Sequence, residues 1–423
     1  MLFKEFLEKL DERGLLVRIK KSVDLKYEIT SILRELKDVP VLFENVKGFD
    51  IPVAANLCAS RSLLSLGLGI EKDKLLKTLL KGIENPSSPK IIESRDYREI
   101  KADLSDLPVP KFYPNDGGRY ITAGVAVISD REYGLNASYH RAMVIGKDKM
   151  VFRVLPRDFY RYVKRGNRRF AFCIGNPPSV MISSSISVDI DKSELDIANS
   201  LSPIGLVDFG GILAPEAEIV MIAEVTQEMH DEGPFLDLTE TFDIVREQPV
   251  IEVEKIFVRK NPVFHSILPG GEEHKILMGL PREVTIFREV SKVCDVKDVL
   301  LTSGGCSWLH GVVSIRKRNT DDGKKAIEAA FKGHKSMKHV FVVDDDIDIH
   351  DPHQIEWAMA TRFQGDRDMV IKKEKGSSLD PSSDLETRMT TKIGFDLTIP
   401  WGRDKKDFQK PDLPMKIDLK EYL

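Results

Sequence analysis

The sequence predicts a mixed α/β protein with an N-terminal α/β lobe, a β-rich centre and a second α/β lobe. Three observations carry this. Apolar residues at Phe3, Phe6, Leu7 and Leu10 recur at helical spacing, and short strand-like runs follow them. A Pro/Gly-rich seam then separates this lobe from a region of many short β-rich runs with few long helices. From about Val299 the alternation of apolar runs and helical patterning returns.

In chain order, helical spacing dominates residues 1 to about 37, with a short strand at Leu15-Leu16-Val17-Arg18-Ile19. Val41-Leu42-Phe43 and Ile51-Pro52-Val53-Ala54 read as buried strands flanking the turn Lys47-Gly48-Phe49-Asp50. Leu63 to Ile83 reads as one helix, ended by Gly82 and the Pro86 to Pro89 stretch. The seam comprises Leu104 to Pro110 and Tyr113 to Gly118. Beyond it, β-rich runs fall at Ala123 to Ile128, Ala142 to Ile145, Met150 to Leu155, Val180 to Ser187, Glu218 to Val225 and Val250 to Arg259. Such a series predicts a barrel or a compact mixed sheet. Helical patterning reappears from Arg282 to Val293. Val299 to Leu301, Val312 to Ile315, a helix near Lys324 to Lys332, and His339 to Val343 form the second α/β unit. From Gly376 the chain is polar and rich in Ser, Asp and Pro, predicting an extended or partly disordered arm. The expected domain limits are 1–105, 106–295 and 296–423.

Composition narrows the function classes. The 423 residues allow two or three domains and a core able to exclude water from a site. Lys plus Arg total 63 against 67 Asp plus Glu, so no basic excess exists to neutralise nucleic-acid phosphates. No apolar run approaches the roughly eighteen residues a membrane span needs. The start, Met1 to Phe6, is amphipathic with an early acid and does not read as a signal peptide. Four scattered cysteines without a CxxC pair point away from zinc and disulfide frameworks and toward a reducing cytoplasm.

The chemistry concentrates in two places. Glu232-Gly233-Pro234-Phe235-Leu236-Asp237 sets two carboxylates about a Gly-Pro turn, a bent backbone able to fix the separation of two acids. Upstream, Asn136-Ala137-Ser138-Tyr139-His140-Arg141 offers a metal ligand and a cation. Asn136 and Glu194 are hard oxygen donors suited to Mn²⁺ or Mg²⁺, and Arg141 suits a carboxylate or an anionic substrate. Taken singly, these residues equally suit a turn Asn, a surface Glu, a solvated strand-end Arg and turn-capping acids. Asp344-Asp345-Asp346 after the apolar His339 to Val343 run, with His350 and His353 beyond, suggests either a metal-dependent phosphoryl or glycosyl transferase site or a solvated strand exit. Neither GxGxxG nor GxxxxGK[ST] occurs.

Together these blocks resemble the UbiD family of decarboxylases, which use prenylated FMN. The resemblance rests on Asn136 to Arg141, Phe152-Arg153-Val154-Leu155, Ser193-Glu194, Glu218-Ile219-Val220, Glu232 to Asp237, Asn261-Pro262 with His265-Ser266, and Val342 to Asp346, in order over most of the chain. It implies a central split β-barrel that binds the flavin, flanked by the two α/β lobes, the C-terminal one making homo-oligomer contacts. It implies that Asn136 and Glu194 ligate a Mn²⁺ gripping the cofactor phosphate, with K⁺ beside it on carbonyls of Ser183 to Ser187. By the same resemblance Tyr139, His140, Arg141, Arg153, Val154, Leu155, Asp158 and Phe159 line the flavin, and Arg141, Glu232 and Asp237 are catalytic. A flavin prenyltransferase is the implied supplier of cofactor.

The chain departs from the family pattern in places. Pro156-Arg157-Asp158 stands where many members carry Ser-His-Arg, so the third metal ligand is missing or replaced, with Asp158 as candidate. Pro269-Gly270-Gly271-Glu272-Glu273 replaces a Gly-Arg-Pro-Pro-Asp-Glu stretch of bacterial relatives. With the compact length, these features look more like the archaeal-type branch that converts trans-anhydromevalonate 5-phosphate, an α,β-unsaturated acid, to isopentenyl phosphate and CO₂. Arg157, Arg161, Lys164 and Arg165 are candidates to read that phosphate. A 4-hydroxybenzoate-type decarboxylase of quinone precursors is the alternative within the family.

Overall fold

The computed structural model describes residues 1–423 apart from 95, 409, 411–414, 416 and 423. At its centre nine strands form one sheet. Eight follow the order Arg119–Ile121, Ala142–Val144, Lys149–Phe152, Arg246–Arg259, Ile219–Glu232, Arg169–Ile174, Val125–Asp130 and Gly134–Tyr139, and Tyr97–Ile100 pairs with one end of Arg246–Arg259. The two outermost strands of this path are not hydrogen-bonded to each other among the described residues. Yet the chain passes from Gly134–Tyr139 to Ala142–Val144, at the opposite end of the order, through His140 and Arg141 alone. It crosses the same gap again between Arg119–Ile121 and Val125–Asp130. Links of two or three residues reach only about 10 Å, so the ends of the sheet must meet. The sheet is therefore a barrel split along one seam, and Arg141 lies in the split.

Side-chain alternation explains why this sheet is apolar on both faces. Along Arg169–Ile174, Phe170, Phe172 and Ile174 enter the barrel core with Ile121, Met150 and Ile251. Ala171 and Cys173 face outward but are covered by Val180, Leu195 and Ala198. Those covering residues belong to the helices Pro178–Ser183 and Glu194–Leu201. The expected strand over Val180 to Ser187 is thus corrected: Val180 to Ser183 lie in a helix opened by Pro178 at its first turn, and Ser184 to Ser187 belong to no strand. Every residue of Pro178–Ser183 is buried, so no polar stripe exists to betray the helical period.

In the N-terminal lobe the helix Phe3–Glu12 buries Phe3, Phe6, Leu7 and Leu10 in one cluster with Leu42, Ala54, Leu57 and Leu64, as its spacing predicts. The single helix expected from Leu63 to Ile83 is two, Arg61–Leu68 and Leu75–Glu84. The first ends at Gly69, whose φ of 72° lies in the left-handed region that glycine tolerates. Gly82 does not end the second, which continues to Glu84.

The C-terminal lobe is a five-stranded sheet ordered Asp295–Leu301, His310–Arg316, His339–Asp344, Met389–Asp396 and Met369–Lys375. The helix Asp322–Gly333 connects parallel neighbours in it. The arm expected from Gly376 instead supplies an interior strand, Met389–Asp396. Its polar approach is ordered by hydrogen bonds: Asp380, 2% exposed, accepts from Lys338 and Thr390, and Trp308 donates to Ser377. The far end of that expected arm, residues 409, 411–414, 416 and 423, lies outside the described residues. A 20-residue helix, Glu272–Ser291, begins ten residues before the patterning that announced it, and carries Pro281 in its interior. Leu277, Leu280, Val284 and Phe287 bury it on both sides of the proline. This helix packs on the C-terminal sheet and lines the barrel's open seam.

Candidate active site

The Ile219–Glu232 strand ends on Glu232, and the chain turns at Gly233-Pro234 into the short strand Phe235–Leu236, after which comes Asp237. Gly117 donates its N–H to the Pro234 carbonyl at 2.8 Å, so the seam expected as a boundary is the buttress of this turn. The approach leaves no room for a side chain: a Cβ on Gly117 would lie 2.2 Å from the Gly233 carbonyl oxygen.

Arg141 reaches from the barrel split into this turn. Its Nε and Nη2 donate to Glu232 Oε1 and Oε2, each at 2.9 Å, in the planar two-point geometry of a guanidinium and a carboxylate. Nη1 donates to Asp237 at 2.9 Å and Nη2 to Asp243 at 3.0 Å. The guanidinium stands 4.5 Å over the Phe235 ring, and the Tyr120 hydroxyl donates to Glu232 at 3.2 Å. Burial alone would lower the pKa of Arg141, but hydrogen bonds to Glu232 and the charges of Glu232, Asp237 and Asp243 raise it on balance. Burial likewise pushes the Asp243 carboxyl up, and Arg246 and Arg141 bring it below its ordinary value. Asp243 and Tyr120 were absent from the expected site. Asp243 stands between Phe242 and Ile244 with no motif to mark it, and the pairing of Phe235 with Asp243 brings it back onto Arg141.

A cavity of about 190 Å³ opens beside these groups, lined by Thr122, Tyr139, Arg141, Arg153, Leu155, Phe235, Asp237 and His274 among others. A second, of about 180 Å³, adjoins it through the shared residues Tyr139, Arg153, Leu155, Ser185 and Met278. Strand alternation places Asn136, Ser138 and His140 on one side and Tyr139 and Arg141 on the other. At the far end of the second cavity Ala137 donates its N–H to Glu194 at 2.9 Å, and the Asn136 amide lies 3.1 Å from the same carboxylate. Glu194 is 3% exposed, and among the described residues no cation lies within ion-pair distance of it. Burial pushes its pKa up to about 8. Asp158, Arg157 and Ser184 to Ser187 complete this end, and the Ser184 hydroxyl is buried without a partner among the described residues. Among the described residues no group of three or more His, Cys, Asp or Glu side chains gathers at metal-binding distance.

His140 stacks on Phe152 and packs against Phe159, and burial lowers its pKa to about 4. Its Nδ1–H faces the Arg153 carbonyl at 3.3 Å, leaving Nε2 to accept from the Ser138 hydroxyl at 3.2 Å. The Val154 side chain packs against the barrel core and its N–H donates to Gln248. Of the basic candidates, Arg157 alone lines the cavity; Arg161 pairs with Asp158, Arg165 with Asp130 and Glu132, and Lys164 lies over Tyr160. His274 and Arg282, both on the Glu272–Ser291 helix, also line the cavities, and nothing in the sequence marks them. Gly270 donates to His274 Nδ1 at 3.2 Å, so the neutral ring carries its proton on Nε2, and burial lowers its pKa. The Asp344 to Asp346 run is committed elsewhere: Arg362 pairs with Asp344 and Asp346, Arg316 with Asp345, and Ile399 N–H donates to Asp344. His350 pairs with Asp298. The transferase alternative therefore loses its metal site.

Comparison with known proteins agrees with this architecture. Family models described as the N-terminal, Rift-related and C-terminal domains of 3-octaprenyl-4-hydroxybenzoate carboxy-lyase match residues 7–83, 86–272 and 275–397. An anhydromevalonate phosphate decarboxylase of Methanothermobacter thermautotrophicus is 41% identical over 421 residues, covering 96% of this chain and 99% of that protein. A UbiD-class enzyme of Pelotomaculum thermopropionicum, solved in complex with FMN, superposes with a TM-score of 0.95 at 33% identity over 100% of both chains. An evolved dimeric form of that enzyme in complex with prenylated FMN gives 0.91 at 32%, again over 100% of both. The chain belongs to the UbiD family and is a non-oxidative carboxy-lyase. No helix among the described residues is long and apolar enough to cross a membrane.

Proposed function

We propose that this enzyme binds prenylated FMN and decarboxylates trans-anhydromevalonate 5-phosphate to isopentenyl phosphate and CO₂. The observation that carries the reading is Arg141 held by Glu232, Asp237 and Asp243 at the wall of a cavity. The substrate follows from the 41% identical relative, named for anhydromevalonate phosphate. When bound, prenylated FMN supplies the electron sink that lets the bond between the unsaturated carbon and its carboxylate break.

The protein's own part is orientation and proton delivery. Four of the five N–H groups of Arg141 are taken by carboxylates, leaving one on Nη1 for the substrate carboxylate. Glu232, bonded to two of its nitrogens and to Tyr120, fixes the plane of the guanidinium. Asp237, set beside the substrate carboxylate, then protonates the carbon that has lost CO₂. His274 offers a neutral N–H donor to the same cavity.

Asn136 and Glu194, with Asp158 in place of the family's histidine, suit a Mn²⁺ that grips the flavin phosphate. Support comes from a buried carboxylate and a buried Ser184 hydroxyl that have, among the described residues, no counter-ion and no hydrogen-bond partner respectively, which together suit cations, K⁺ on the Ser183 to Ser187 segment included. Tyr139, His140, Arg153, Leu155, Asp158 and Phe159 would hold the flavin between the two ends. We assign the supply of cofactor to a flavin prenyltransferase, the setting to the cytoplasm, and the working state to a homo-oligomer built on the C-terminal lobe of a 1–105, 106–295, 296–423 division.

The family models' description favours a second reading, a 4-hydroxybenzoate-type substrate. Protein co-expressed with a flavin prenyltransferase and assayed anaerobically with both acids separates the two. Turnover of the phosphorylated acid alone is the expected result. Turnover of the aromatic acid alone would overturn the proposal.

A further inference from the structure

The Glu272–Ser291 helix presents His274, Met278 and Arg282 at i, i+4 and i+8, one stripe running about 12 Å along the joined cavities. His274 stands at the Arg141 and Asp237 end, Met278 borders both cavities, and Arg282 stands at the other end. Arg282 is an odd residue to find there. Its Nη2 donates to the Ser187 hydroxyl at 3.0 Å and its guanidinium lies 5.6 Å from the Trp308 ring centre, but among the described residues no carboxylate pairs with it. Burial first, and then the charge of Arg157, push its pKa down to about 10. Arg282 is largely buried, faces the same cavity as the exposed Arg157 and has no ion-pair partner among the described residues, a desolvation cost that an anion from outside the chain would offset.

We propose that Arg282 and Arg157 form a second anion subsite that takes the phosphate monoester of the substrate while Arg141 takes its carboxylate. This rests on the phosphorylated-acid reading above. The substrate spans roughly 7 Å from carboxyl carbon to phosphorus, less than the length of the stripe. Helical side chains lean toward the N-terminus, so the Arg282 guanidinium reaches back toward Met278 and closes much of the remaining distance. Met278 lies along the path of the connecting carbons. The flavin carries a phosphate monoester too, but the Asn136 and Glu194 group serves that one.

The test uses Arg282→Gln and Arg157→Ala, the latter on an exposed side chain outside the core. Binding of FMN and of riboflavin to cofactor-free protein, followed by flavin fluorescence, reads the cofactor phosphate without turnover. Steady-state kinetics of cofactor-loaded enzyme with the phosphorylated acid and with its dephosphorylated counterpart read the substrate phosphate. Arg282→Gln should raise KM for the phosphorylated acid about tenfold or more, Arg157→Ala by less, and Arg282→Lys should recover part. The preference for FMN over riboflavin and the KM of the dephosphorylated acid should stay near wild type. A lost FMN preference would assign the subsite to the flavin and overturn the proposal. Unchanged KM for the phosphorylated acid in both Arg282→Gln and Arg157→Ala would overturn the subsite alone, whereas a wild-type enzyme inactive on that acid removes the substrate reading as well.

Discussion

Replacing Arg141 by lysine keeps the charge and removes the geometry. The guanidinium donates four hydrogen bonds to three carboxylates, two of them in one plane to Glu232, whose side chain is fully buried. An ammonium is a single point and cannot reproduce the planar pair. Losing two charge-assisted bonds of about 1.5–3 kcal/mol each, with partial recovery from the retained charge, predicts a net cost of about 2–4 kcal/mol. Arg141→Met goes further and strands Glu232 with only the Tyr120 hydroxyl, a case that costs about 3–5 kcal/mol. Urea unfolding of cofactor-free protein measures both without any turnover. The same substitutions should depress kcat by at least about a hundredfold, because the substrate carboxylate is no longer oriented. Arg141→Lys within about 0.5 kcal/mol of wild type and within about threefold in kcat would refute the claim that the plane of the guanidinium matters.

Three further outcomes follow from the same geometry. Gly117→Ala drives a Cβ to 2.2 Å from the Gly233 carbonyl oxygen, a backbone atom that cannot rotate away, so thermal unfolding should show a loss of about 1–3 kcal/mol together with reduced activity; an unchanged Tm and rate would show that the turn is not buttressed there. Glu194→Gln should weaken Mn²⁺ binding to cofactor-free protein about a hundredfold, read by electron paramagnetic resonance titration, and equal affinities would remove Glu194 from the cation site. His334, buried with its Nε2–H donated to the Trp308 carbonyl, has its pKa lowered to about 3 by burial first and then by Arg282. Because the unfolded chain takes that proton near pH 6.5 and the folded one does not, stability should fall by up to about 1.4 kcal/mol per pH unit as pH drops from 6.5 toward 3. His334→Gln should flatten this slope in urea midpoints measured across that window; an unaltered slope would contradict the assignment.

Much of the fold was legible because its signals are local. Phe3, Phe6, Leu7 and Leu10 mark one helix face in any context, and the runs at Val41 to Phe43 and His339 to Val343 are strands wherever they fall. Reading failed where burial erased the pattern. Val180 to Ser187 carries β-branched residues suggestive of a strand, but Pro178–Ser183 is a helix covered all round. The segment after Gly376 has the composition of a solvated arm, yet Asp380 and Ser377 are buried by hydrogen bonds and the strand Met389–Asp396 sits inside a sheet.

The amino-acid sequence alone determined the α/β character of the lobes, the β-rich centre, and the rigid turn that spaces Glu232 from Asp237. It also held the ordered blocks that mark the family. Only the tertiary structure decided that Asp243 and Tyr120 join Arg141, that His274 and Arg282 enter the cavity, and that the aspartates at 344 to 346 serve arginines instead of a metal. Contacts between distant residues depend on sheet register, such as Glu232 opposite Arg246 and Asn136 opposite Ile128. A slip of one residue turns each of these side chains to the other face. Local pattern cannot encode that choice, because the energy that selects it comes from packing the whole barrel closed across its seam.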